Sequence, residues 1–123
     1  MNITFVPSPN LSERPNKASV QFLVLHYTAV SAEETWKIFR DKSSKASAHY
    51  TILDKPTDDG SWIYQHVQEE QMAWHAGISY WRGIQNVNSH SIGIEHVSLG
   101  HRWREDYPLG GTIKVPGWHE LFY

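Results

Sequence analysis

The chain contains no cysteine. Disulfides, thiolate metal ligands and cysteine nucleophiles are therefore excluded, and any metal must sit on His, Asp or Glu. No apolar run approaches the ~20 residues that a membrane-spanning helix needs. Positive charge is not in excess: 11 Lys and Arg stand against 13 Asp and Glu, so no electrostatic footprint for a nucleic-acid partner is present. The start, Met1-Asn2-Ile3-Thr4, lacks a basic stretch followed by an apolar one. The expectation from that start is a cytoplasmic protein without a standard signal peptide. Internal repeats, low-complexity tracts, a phosphate-cradling glycine loop and a Gly-x-Ser-x-Gly elbow are all missing. So is any His-x-x-x-His pair.

What remains is a globular composition, 40% hydrophobic and 20% charged over 123 residues, enough for a single domain at 1–123 with its own core. Eight histidines and six tryptophans stand out. Histidine serves proton transfer and metal binding, and tryptophan offers a flat face to sugars or peptides.

Residues 1–18 carry Pro7, Pro9 and Pro15 among polar residues and read as an irregular arm. Residues 20–25 are nearly all apolar and lead into His26, as in a central strand buried on both faces. Phe22, Val24 and His26 would share one face, because strand side chains alternate. Ser31 with Glu34 matches a capping box and predicts a helix over residues 32–41, with Trp36 and Phe39 inward. Residues 42–47 read as a loop, 48–53 and 62–66 as strands joined through the Asp59-Gly60 turn, and 68–73 as a helical turn. Residues 74–91 read as a long surface loop, and loops of that length are usually functional. Residues 91–97 read as a further buried strand, and after Gly100 the chain turns polar and irregular. Strands alternating with a helix predict an α/β fold.

His26 closes the first apolar strand, where side chains leave a sheet and enter a cleft. On residue type alone, its commoner reading is a half-buried ring bonded to a backbone carbonyl. Glu95 follows Ile92-Gly93-Ile94, so a carboxylate lies within an apolar strand. Burial without a partner is costly, and it would raise the pKa towards the range a general base needs. The other reading is an exposed strand edge. Gly93 lies two residues earlier on the same face and would leave space for a ligand beside Glu95. Trp74-His75-Ala76-Gly77 opens the long loop with two small residues that permit close backbone approach, or else forms a tight loop packed by Trp74. His49, in Ala48-His49-Tyr50, is more often structural than functional at such a position. Spacing nominates only a loose ligand set: His26, His49, His75, His96, His101 and His119.

Four segments, Leu25-His26-Tyr27-Thr28-Ala29, Ala46-Ser47-Ala48-His49-Tyr50, Ala73-Trp74-His75-Ala76-Gly77 and Ser91-Ile92-Gly93-Ile94-Glu95, follow in this order. The series resembles the type 2 N-acetylmuramoyl-L-alanine amidases, the AmpD-like family that shares its fold with peptidoglycan recognition proteins. The resemblance implies a central mixed β-sheet flanked by helices and a catalytic zinc in a groove. It implies His26 as a zinc ligand and Glu95 as general base. It also implies a substrate groove of Trp74, His75, Ala76 and Gly77, with Tyr50 offering a further aromatic face. The implied reaction is hydrolysis of the amide between N-acetylmuramic acid and L-alanine, on a peptidoglycan or muropeptide substrate. The family's later segment, of the form His-x-Asp-x-Ala-Pro-Gly-Arg-Lys-x-Asp-Pro-Gly, has no match here, and His119 does not fit it. The expectation is therefore a fold incomplete at its C-terminus, an incomplete zinc site and an inactive or nearly inactive chain. The alternative is a non-catalytic muropeptide-binding module.

Overall fold

The computed structural model describes residues 2–98. The expectations for His101, His119 and the stretch after Gly100 lie outside the described residues. In chain order the elements are β1 (Ile3–Phe5), β2 (Leu11–Glu13), β3 (Phe22–Tyr27), α1 (Ala32–Arg40), β4 (Tyr50–Ile52), β5 (Ile63–Gln65), β6 (Gln71–Ala73), β7 (Tyr80–Trp81), β8 (Ile84–Gln85) and β9 (Ser91–His96). The main sheet has the order β1-β5-β4-β9-β3. Only the β4–β5 pair is antiparallel, so the sheet is mixed, as the α/β expectation required.

Helix α1 starts where the sequence says it should. The Ser31 hydroxyl accepts from the Glu34 N–H at 3.2 Å, and the Ser31 N–H donates to the Glu34 carboxylate at 3.1 Å. Such a cap is worth about 1 kcal/mol. The helix buries Thr35 and Phe39, and the Phe39 ring meets the His66 ring edge-on at 5.2 Å. Trp36 is half-buried. The helix is therefore joined to His66, the residue that follows β5, through the Phe39 ring contact.

Four expectations are corrected. Strand β3 is not central among the described residues but forms the sheet edge, and Leu23 and Leu25 point outward at 69% and 66% exposure. A continuous apolar run cannot by itself distinguish burial on two faces from burial on one. Residues 1–18 are not an irregular arm: β1 pairs with β5 in parallel and β2 with β6 antiparallel. The prolines at 7, 9 and 15 fall outside these short strands, where no ladder N–H is required. Residues 71–73 form β6 rather than a helical turn, because tertiary pairing with β2 outweighs local preference. The long loop contains the β7–β8 hairpin and a 3-10 turn at Val87–His90. Its Arg82-Gly83 corner has positive φ at both residues, the geometry that matches strand twist in a two-residue turn.

Much of the interior is polar and hydrogen-bonded. Arg14, only 8% exposed, donates to the carbonyls of Glu69, Asn88, Ser89 and Ser91, and so ties the N-terminal residues to the start of β9. No helix among the described residues is long and apolar enough to cross a membrane.

Candidate active site

Strands β3 and β9 run parallel with Phe22 opposite Ser91, Val24 opposite Gly93 and His26 opposite Glu95. Residues opposite one another in register project to the same face. His26 and Glu95 therefore share a face, each at the penultimate position of its strand, and neither is sealed off from solvent. Parallel strands place their carboxyl ends together, so both side chains stand at the same end of the sheet.

Glu95 is desolvated without compensation. Its Oε2 atom is buried and has no hydrogen-bond partner among the described residues. Burial pushes the carboxyl up to about 7. A carboxylate titrating near neutrality can both take and return a proton, which a paired surface glutamate cannot do efficiently.

His26 and His75 are joined directly, with His26 Nε2 3.0 Å from His75 Nδ1. On its far side, His75 Nε2 lies 2.9 Å from the Ser91 hydroxyl, and that hydroxyl donates to the Val87 carbonyl at 2.7 Å. The Ser91 proton is thus committed to Val87, so His75 must donate from Nε2 and accept at Nδ1. His26 then donates from Nε2. Its Nδ1 atom makes no hydrogen bond among the described residues. Burial lowers the pKa of both rings; His75 falls to about 3, with smaller contributions from the charges of His26, His49 and Arg14.

The loop that carries His75 is fixed from several sides. The Asn88 side-chain carbonyl accepts from the backbone N–H groups of His75 and Ala76 at 3.2 and 2.9 Å. Trp74 donates its indole N–H to the Ser12 hydroxyl at 2.9 Å. Beyond Ala76, an open pocket is lined by Gly77, Ile78, Ser79, Tyr80, Gln85 and Asn86.

The expected residues do not all converge. His26, His75 and Glu95 come together; Trp74, Ala76 and Gly77 adjoin them through the loop. Tyr50 pairs with Ile94, not Glu95, and so faces the opposite side of the sheet. Its hydroxyl donates to Glu69 at 2.6 Å, and burial followed by that contact raises it to about 12. The space expected beside Gly93 is not open for a ligand: a Cβ there would lie 2.3 Å from His75 Cγ. The glycine signal for close approach was correct, but the approaching group is a side chain of the chain itself. His49 is structural, accepting at Nδ1 from the Gly93 N–H at 3.0 Å and contacting the Gln71 carbonyl at 3.0 Å through Nε2. His96 projects to the other face and is exposed. Of the residues that lock His75, Asn88 carried no sequence signal, and Ser91 entered only as the first residue of the segment that ends in Glu95.

A metal-binding reading is supported by the chemistry of the donors. His26 has a free ring nitrogen and Glu95 has an orphaned oxygen, both at the strand ends. Among the described residues, no group of three His, Cys, Asp or Glu side chains could hold a metal ion.

A family described as N-acetylmuramoyl-L-alanine amidase matches residues 16–112. The chain is similar to the N-acetylmuramoyl-L-alanine amidase AmiD of Escherichia coli K12, at 41% identity over 66% of this chain and 29% of AmiD. It resembles a crystal structure of a selenomethionine derivative of AmpD with a TM-score of 0.66, at 27% identity over 78% of this chain and 61% of that one. It also resembles E. coli AmiD in complex with anhydro-N-acetylmuramic acid-L-Ala-D-γ-Glu-L-Lys, with a TM-score of 0.59 over 66% of this chain and 32% of AmiD, at 41% identity. The chain spans less than two thirds of the length of each of these proteins.

Proposed function

The chain belongs to the N-acetylmuramoyl-L-alanine amidase family, and from that premise we propose that it hydrolyses the amide between N-acetylmuramic acid and L-alanine in peptidoglycan fragments, with zinc as cofactor. The observation that carries this reading is the register pair His26–Glu95 on adjacent parallel strands. The AmiD complex contains a muropeptide, and a muropeptide of that chemistry is the substrate class assigned to this chain.

Of the described residues, His26 would hold zinc, through its free Nδ1. When bound, zinc supplies Lewis acidity to the amide carbonyl. Glu95 accepts a proton from the attacking water and returns it to the departing alanine nitrogen, for which its pKa near 7 suits it. The C–N bond breaks, leaving a muramic carboxylate and a free L-alanine amine. Ala76 and Gly77 lead from the site into the loop pocket, and we assign the sugar or stem peptide to this stretch.

The test is release of the L-alanine amine from a soluble muropeptide, measured with zinc, with chelator, and with zinc restored. The account expects release that chelator abolishes and zinc recovers. A second reading, a non-catalytic muropeptide-binding module, is favoured because the described residues group no three His, Cys, Asp or Glu side chains that could hold a metal ion. Muropeptide binding indifferent to chelator, with no amine released at any zinc concentration, selects that reading and rejects the first.

A further inference from the structure

His75 is placed as no groove-lining side chain needs to be. Its ring is pressed onto Gly93, a strand position without a side chain. Its backbone is clamped by Asn88, and its Nε2–H is spent on Ser91, whose own proton goes to the Val87 carbonyl. One ring atom is left to interact with the site, Nδ1, and it points at His26 Nε2 across 3.0 Å.

We propose that His75 is a positioning residue that fixes the imidazole of His26, holding its proton on Nε2 so that the Nδ1 lone pair is the one presented to a metal ion. The direction of every hydrogen bond in the chain follows from the Ser91 hydroxyl. Because that hydroxyl donates to a backbone carbonyl, it can only accept from His75, and His75 can then only accept from His26. Orienting partners of this kind set both the ring rotation and the tautomer of a metal-binding histidine. The inference rests on His26 being a zinc ligand, and it adds which nitrogen binds and what holds it.

Two measurements test it. In the metal-free protein, labelled with 15N at histidine, NMR should show His26 protonated at Nε2 and a scalar coupling between His26 Nε2 and His75 Nδ1 across the hydrogen bond. A His26 ring protonated at Nδ1, or no coupling between the two rings, overturns the proposal without reference to any metal. The second measurement is zinc affinity by competition with a chromophoric chelator. His75→Phe keeps the ring volume against Gly93 but removes the acceptor, and should weaken zinc binding roughly 10–100-fold. His75→Gln, whose amide oxygen can still accept from His26, should recover part of that loss. His26→Ala separates the two levels of the argument. If His26→Ala binds zinc as well as wild type, the ligand assignment fails and the inference with it. If His26→Ala loses zinc while His75→Phe retains wild-type affinity, the ligand assignment stands and the positioning role of His75 is rejected.

Discussion

The ring of His75 occupies the volume that a side chain at position 93 would need, with His75 Cγ only 2.3 Å from where a Cβ on Gly93 would lie. Gly93→Ala should therefore force the imidazole away from both His26 and Ser91. A destabilisation of about 1–3 kcal/mol is expected from such overpacking. Combining it with His75→Ala should remove most of the clash, so a double-mutant cycle by urea denaturation should show strong coupling between the two sites. Additive effects would mean that the ring does not sit on Gly93.

Arg14 is a second buried constraint. Its guanidinium donates to four carbonyls, and burial lowers its pKa while Glu69 and Glu70 partly offset this. Arg14→Ala leaves those carbonyls short of donors and should cost on the order of 3 kcal/mol in chemical denaturation. Arg14→Lys should recover only part, because an ammonium lacks the planar fork.

These two residues also mark where the sequence stopped being readable. The helix was legible because Ser31 and Glu34 form a local device, complete within four residues. The strands bearing His26 and Glu95 were legible as apolar runs, and the shared face of the pair follows once both are strands. The edge position of β3 was not legible, since strand order is set by distant pairing. The arm was misread because its strands exist only through β5 and β6. Tyr50 was misjudged by face: it neighbours His49 in sequence, but alternation turns it away from the site. The His75–Ser91 lock joins residues sixteen apart across a loop, and no period or motif announces it.

His66 should contribute to the acid limb of the stability profile. It is buried, contacts the Val6 carbonyl through Nδ1 and the Thr51 hydroxyl through Nε2, both at 2.8 Å, and burial holds its pKa below the usual 6.5. The unfolded chain therefore takes up this proton first as pH falls. The contribution is complete above pH ~6.5 and is lost progressively below it. In thermal melting of the metal-free protein, the stability difference between wild type and His66→Gln should be constant above pH ~7 and shrink as pH falls below ~6.5.

Glu95 acts with the opposite sign. Its folded pKa of about 7 lies above the reference 4.5, so the folded chain holds this proton more tightly. Stability from this group is greatest below pH ~4.5 and falls as pH rises towards 7. The full shift corresponds to about 3 kcal/mol, and partial solvent access reduces it to roughly 1–2 kcal/mol. In the absence of metal, Glu95→Gln should be the more stable protein at pH 8 by that margin. Equal melting temperatures at pH 8 would show that the carboxylate is solvated.

The most direct measurement is the rate at which Glu95→Gln, loaded with zinc, releases L-alanine amine from muropeptide relative to wild type. The account predicts a rate lower by roughly 10²–10⁴-fold with muropeptide affinity little changed. Release by Glu95→Gln at the wild-type rate would contradict it, because the carboxylate opposite His26 would then have no part in the reaction.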